Sequence, residues 1–340
     1  MVLTILLYAA LFIVSVVVTL AGCHLFTNGI EWLGKRMKIS EGAVGSIFAA
    51  VGTTLPETSI PIIAIFFGHS PEQTEVGLGA ILGAPFMLST LVLPILAGLL
   101  VLYARLGKRT ATFKLDYAEV RTDIQFFLTG YLVALACVFV PSKPVHMVAA
   151  VGLLSLYVYY MKLKFSAEDE DDGEGGGDLE PLLFSRQSQH PSYVLIAAQG
   201  AVGLMGLVGG AHLFVTAANS ISAELHVSPL ILSLLIAPLA TELPEMSNSF
   251  LWLYRKKDRL AVGNVTGAMV FQGTIPVSVG LLGTGWTLGT TALATMVLAV
   301  AAMGMSLIQV MLSGQWRPWL LSGSALLYLG YTLFLYTHGS

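Results

Sequence analysis

Two segments of this chain put a glutamate inside an apolar run, directly after a proline. They read Ala50-Val51-Gly52-Thr53-Thr54-Leu55-Pro56-Glu57 and Pro238-Leu239-Ala240-Thr241-Glu242-Leu243-Pro244-Glu245. A carboxylate in the middle of a hydrocarbon layer costs at least a few kcal/mol, so Glu57 and Glu245 each need compensation there. No Lys or Arg lies inside the two apolar runs that hold them, which leaves a bound cation or a proton. A proline inside a helix has no N–H to donate and crowds the carbonyl four residues back, here that of Gly52 or Ala240. Freed carbonyls and the hydroxyls of Thr53, Thr54 and Thr241 add oxygens to the carboxylates. That is the donor set of a hard cation, since Ca2+ takes about 6 to 8 oxygen ligands at about 2.3–2.6 Å. Soft metals call for Cys, His or Met, of which the neighbourhood offers only Met246. One such glutamate could equally be a protonated, hydrogen-bonded side chain. Two at matching positions favour an ion site.

The elements that must position these residues are membrane helices. Of the 340 residues, 55% are hydrophobic and 11% charged, against roughly 25% charged in ordinary soluble domains. Runs of about 20 apolar residues, enough to cross the hydrocarbon layer as helix, recur almost end to end. Ten are expected, over residues 3–28, 41–67, 76–103, 122–141, 145–164, 194–217, 228–253, 261–283, 288–312 and 318–337. Lys and Arg collect in cytoplasmic loops. Of the 17 basic residues, all but Lys143 follow odd-numbered runs. Ten spans with both termini outside satisfy that distribution. The expected fold is therefore an all-α integral membrane protein, a multi-pass protein of the cell membrane. The stretch Ala167-Glu168-Asp169-Glu170-Asp171-Asp172-Gly173-Glu174 and its Gly-rich continuation hold almost nothing apolar. This acidic cytoplasmic tract reads as a solvated linker, and secondarily as a weak Ca2+-sensing element. The units are residues 1–164, the linker 165–193, and 194–340.

An offset of 188 residues superimposes His24–Ser59 on His212–Ser247 without a gap. His24-Leu25-Phe26 falls on His212-Leu213-Phe214, and Leu55-Pro56-Glu57 on Leu243-Pro244-Glu245. Slightly later, at an offset of 184, Gly79 and Gly83-Ala84 fall on Gly263 and Gly267-Ala268. Five spans per half, an odd number, make the second half enter the membrane from the opposite side. Inverted repeats with interrupted helices at the midplane mark secondary transporters. A duplicated structural bundle is the plain alternative, but packing alone does not require the most similar segment to be polar and Pro-containing.

These two segments resemble the alpha repeats of the sodium/calcium exchanger (cation/Ca2+ antiporter) family, whose signature is Gly-Thr-Ser-Leu-Pro-Glu. The resemblance extends over nearly the whole chain. It implies ten helices in two inverted five-helix halves, with Glu57 and Glu245 coordinating Ca2+ and sharing in Na+ or H+ binding. It assigns backbone ligation to Thr53 and Thr241, and puts Thr54 and Glu242 at the next position. The family pattern Gly-Ser-Asn-Ile-Phe-Asn/Asp in the third and eighth helices is replaced here by Gly83-Ala84-Pro85-Phe86-Met87-Leu88 and Gly267-Ala268-Met269-Val270-Phe271-Gln272. Several Na+ ligands of the pattern are thus missing and Glu242 is gained, which leans toward protons or fewer Na+ per cycle. The full ligand expectation is Glu57, Glu245, Thr53, Thr241, Thr54, Glu242, Ala50, Asn264 and Gln272. Asn264 and Gln272 have interhelical hydrogen bonding as their alternative role.

The expected function is antiport of Ca2+ or a similar divalent cation against Na+ or H+, with no enzymatic step and no cofactor. A cation channel, or a non-transporting receptor with a structural cation, is the competing class. The partners are inorganic cations and the lipid bilayer, and nothing in the charge distribution suits nucleic acid. Cys23 and Cys137 stand alone in apolar runs and read as packing residues. Leu20-Ala21-Gly22-Cys23 imitates a lipoprotein processing site, yet the first basic residue is Lys35, so the run reads as a membrane helix. His24 and His212 occupy equivalent positions and could relay protons, though packing is the simpler role. Asn28 and Asn219 read as caps or interface residues, Glu41 and Asp123 as acidic residues suited to helix starts, and Gly206–Gly210 as a close helix contact.

Overall fold

Apolar runs of about 20 residues satisfy their backbone in lipid by coiling into helices, because no water is present to pair with exposed N–H and C=O groups and a spanning strand is only about half that length. The computed structural model describes residues 2–37, 55–168, 180–185 and 190–338, and no strand occurs among them. In chain order the helices are α1 (Val2–Arg36), α2 (Leu55–Phe66), α3 (Pro71–Met87) and, after a π-helical turn at Leu88–Val92, α4 (Leu93–Arg105). Then come α5 (Tyr117–Val138), α6 (Lys143–Glu168) and α7 (Tyr193–Leu225). The remainder are α8 (Pro229–Thr241), α9 (Leu243–Tyr254), α10 (Asp258–Gln272), α11 (Ile275–Gly283), α12 (Thr290–Ser313), α13 (Pro318–Gly323) and α14 (Ala325–His338). Among the described residues 7 helical spans are long and apolar enough to cross a membrane, and the bent pair α8–α9 brings the number to 8. The expected span over 41–67 is described only from Leu55, and that over 122–141 is α5, whose first turns carry Glu119, Arg121 and Asp123.

Caps set several boundaries. Asp116 accepts from the Ala118 N–H at 2.8 Å to start α5, and Ser192 from the Leu195 N–H at 3.3 Å to start α7. Gly314, at φ 67°, ends α12 in the left-handed conformation that a residue without Cβ adopts freely.

Three runs that read as continuous are interrupted. The seventh breaks at Glu242, the eighth between Gln272 and Ile275, the tenth at Ser324. Prolines explain the first two: Pro244 and Pro276 stand in the first turn of the following helix, where a missing N–H is harmless, and cannot extend the preceding one. The third run stays continuous but carries the π-helical turn from Leu88. At the 184-residue offset Leu88 falls on Gln272, so both halves are irregular at the same register. A threonine bonds back one turn in each, Thr90 Oγ1 to Phe86 O at 2.5 Å and Thr274 Oγ1 to Val270 O at 2.7 Å. These pairs superimpose at that offset too.

The helices pack in a pattern that survives exchange of the halves. α1 lies along α7 and α5 along α12; α3 meets α12 as α10 meets α5; α4 meets α13 as α11 meets α6. The α1–α7 seam brings backbones together: a Cβ on Gly203 would lie 2.4 Å from Phe26 N, and one on Gly22 2.4 Å from Leu207 N. The α3–α8 contact is equally close, with Gly83 against Leu234 O and Ser233 Oγ donating to Val76 O at 2.6 Å. The end of the linker docks on the first seam. Glu180 O accepts from Asn28 Nδ2 (3.2 Å) and Trp32 Nε1 (2.9 Å), Leu183 N donates to Asn28 Oδ1 (3.2 Å), and Phe184 N to Gln199 Oε1 (2.9 Å). Asn28, read as a cap or interface residue, is an interface residue that binds this segment.

Candidate cation-binding site

The break between α8 and α9 is built from the second of the two repeated segments. α8 ends at Thr241, Glu242 forms the joint, and the two helices are bent by 46°. Pro244 supplies no N–H to Ala240, so the ladder lapses there. It holds on either side, from Glu242 N to Pro238 O and from Met246 N to Glu242 O, both at 2.9 Å. Thr241 is buried and its Oγ1 donates to Ala237 O at 3.2 Å.

Glu242 is fully buried, and Gln272 Nε2 donates to its Oε1. Gln272 is 2% exposed, and its own Oε1 has no hydrogen-bond partner among the described residues. Gln272 is the last residue of α10, as Thr241 is the last of α8. The C-termini of α8 and α10 thus meet the N-termini of α9 and α11 around a carboxylate and an amide oxygen, a set of oxygens rather than a net dipole. Such a place favours a cation and disfavours an anion.

Glu57 is the third residue of α2 and 6% exposed; Glu245 is likewise the third residue of α9. Both stand in a first helical turn. The side chain of Glu245 and residues Ala50, Thr53 and Thr54 lie outside the described residues, as does Glu41. Among the described residues, no three His, Cys, Asp or Glu side chains gather at one point. Of the expected ligands, the structure brings Glu242 and Gln272 into contact. Asn264 instead donates from Nδ2 to Ser249 Oγ at 3.0 Å, on α9 one turn beyond Glu245. Sequence reasoning passed over Ser249, although its spacing of four from Glu245 puts the two on one helical face.

The first-half counterpart of Gln272 is walled off. Leu88 and Met87 are buried at 0% and 1%, so the α3 side of the region is apolar where the α10 side is polar. Asp123, expected at a helix start, lies six residues beyond Tyr117, where α5 begins, and is buried. The reason is a set of partners on α6 and α10 that composition could not indicate: Lys164 Nζ at 2.7 Å, Tyr160 OH at 3.0 Å and Thr266 Oγ1 at 2.6 Å.

Comparison with known proteins agrees with this architecture. The profile described as "Sodium/calcium exchanger protein" matches residues 7–165 and 195–337. CaxA of Alkalimonas amylolytica, named as a candidate antiporter, is 24% identical over 292 residues that make up 81% of each chain. The uncharacterized membrane protein MJ0091 of Methanocaldococcus jannaschii is 22% identical over 278 residues, 80% of each chain. Among solved structures, the H+/Ca2+ exchanger CAX superimposes with a TM-score of 0.72 at 16% identity, over 96% of this chain and 82% of that one. The sodium-calcium exchanger NCX_Mj does so with a TM-score of 0.54 at 20% identity, over 96% and 98%.

Proposed function

Because the chain belongs to the sodium/calcium exchanger protein family, we propose that it is a secondary antiporter that moves Ca2+, or a similar divalent cation, against Na+ or H+. The ion site is formed by Glu57 and Glu245, with Glu242, Gln272 and the backbone and hydroxyl oxygens of Thr53, Thr54 and Thr241 around them; Ala50 and Asn264 complete the candidate set. One observation carries this reading: a buried carboxylate, Glu242, meets a buried amide, Gln272, where two helices end inside an apolar bundle. Hard-cation chemistry needs such a cluster of oxygens.

In this reading ten spans form two inverted halves, residues 1–164 and 194–340, joined by the linker 165–193, with both termini outside. Contacts between loops support the sidedness. Arg109 pairs with Asp258 and Arg259 with Glu119, joining loops that the ten-span count puts together in the cytoplasm. Lys143, the lone basic residue assigned outside, donates to the carbonyls of Leu281, Leu282 and Thr284 at the end of α11, which the same count also puts outside. The packing pattern that survives exchange of the halves supports the repeat.

The test is counterflow from vesicles loaded with Ca2+, under an inward Na+ gradient and then an inward pH gradient. Release driven by one of the gradients, and lost in Glu57→Gln and Glu245→Gln, is the expected result. Release that ignores both gradients would make the protein a channel.

A further inference from the structure

Asp123 is a buried carboxylate outside the proposed ion site, held between three helices. Lys164 Nζ, at 2.7 Å, supplies its countercharge from α6, with a side chain still 29% exposed. Tyr160 OH, also on α6, donates at 3.0 Å, and Thr266 Oγ1 on α10 donates at 2.6 Å. The last contact ties α10 to α5. Thr266 lies two residues from Asn264 and six from Gln272, the two amides of that helix nearest the proposed site.

The other half shows what the fold does without such a tether. At the 184-residue offset Thr266 corresponds to Leu82, which is apolar and fully buried. α3 is held there by packing of Phe86 against Tyr328 (ring centroids 5.4 Å) and Tyr331 (5.2 Å), and the Tyr331 hydroxyl meets neutral groups, the Thr295 hydroxyl at 2.9 Å and the Thr291 carbonyl at 2.6 Å. The counterparts of Asn264 and Gln272 on α3 are Ala80 and Leu88, which have no polar atom to aim. The tether to a charged group therefore occurs in the half whose helix carries amides inside the bundle, while α3 has the neutral Ser233–Val76 bond. A requirement of the bundle itself would appear in both halves. Burying an ion pair is moreover a poor way to gain stability, because desolvation offsets most of the attraction.

We infer that Asp123, acting through Thr266, is a positioning residue for ion binding: it sets the roll of α10 and so holds Gln272 and Asn264 in the orientation that receives the cation. This rests on the antiport reading above. Substitution of groups that orient ligands from behind lowers metal affinity about 10- to 100-fold, and an interaction made equally before and during transport shows itself in KM rather than in the maximal rate.

The experiment compares Ca2+ counterflow, as KM against maximal rate, in vesicles containing the full chain, Thr266→Val, Thr266→Ser and Asp123→Asn, with thermal unfolding of each purified protein alongside. Thr266→Val is isosteric and leaves the Asp123–Lys164 pair in place. The expected outcome is a KM raised by about 10-fold or more in Thr266→Val and Asp123→Asn, a maximal rate close to the parent's, and a parental KM in Thr266→Ser. A parental KM in Thr266→Val overturns the inference. So does failure of Thr266→Val to assemble, since the contact would then be structural. Glu57→Gln, run in parallel, separates the two readings: if it still transports, the site assignment itself is wrong; if it is inactive while Thr266→Val has the parental KM, only the positioning role falls.

Discussion

At the scale of residues, the contact between Glu242 and Gln272 decides the character of the site. Neither side chain has a counterpart in the other half, where Thr54 and Leu88 stand at the matching positions. A carboxylate with 0% exposure is tolerated only if donors or a cation meet it, and the Gln272 amide supplies one donor while leaving its own oxygen available. Gln272→Leu, which copies the first half, removes both. It should raise the KM for Ca2+ about tenfold in counterflow; an unchanged KM would remove Gln272 from the site. The repeated glutamates were legible in the sequence because a carboxylate beside a proline in an apolar run is costly unless it binds a cation or a proton. Ser249 and Asp123 were not, since a serine or an aspartate near a helix end has many ordinary uses and its partners lie far along the chain.

At the scale of elements, close backbone approach holds the bundle together where apolar side chains cannot, since lipid is as apolar as they are. Gly203 and Gly209 separate the two kinds of glycine in α7. A Cβ on Gly203 would stand 2.4 Å from Phe26 N, whereas one on Gly209 would meet no described atom within 4 Å. Gly203→Ala should therefore lower stability by about 1–3 kcal/mol and Gly209→Ala should be tolerated, as read by thermal unfolding in detergent. Equal melting temperatures would refute the direct seam. The Gly206–Gly210 contact was legible from composition, and Gly206 indeed packs 3.1 Å from Gly22 Cα once given a Cβ. Lys143 was legible only as an exception to the charge rule. Its ammonium caps the last carbonyls of α11, and Lys143→Met should cost about 0.3–1 kcal/mol of stability, the range for a cation at an exposed helix C-terminus. No change in melting temperature would show the cap to be idle. The helix break at Glu242 was legible from Pro244, whereas the break before Ile275 and the π-helical turn at Leu88 lie within runs that read as continuous, although Pro276, and Pro85 and Pro94, stand beside them.

At the scale of the whole molecule, hydropathy and the distribution of Lys and Arg made the all-helical membrane architecture legible. The linker was legible as acidic and poor in apolar residues, but not the docking of its end, which depends on Asn28, Trp32 and Gln199 meeting from two helices. The departures from the family pattern at Ala84, Leu88, Ala268 and Gln272 leave one polar wall and one apolar wall, so the account rests on cation exchange and leaves the counter-ion to a choice between two gradients. The most direct measurement is Ca2+ uptake into vesicles against its own gradient, driven by an outward gradient of Na+ or of H+. The account predicts that one of the two drives internal Ca2+ above the external concentration and that Glu57→Gln and Glu245→Gln abolish this. Ca2+ that merely equilibrates under both gradients would contradict it.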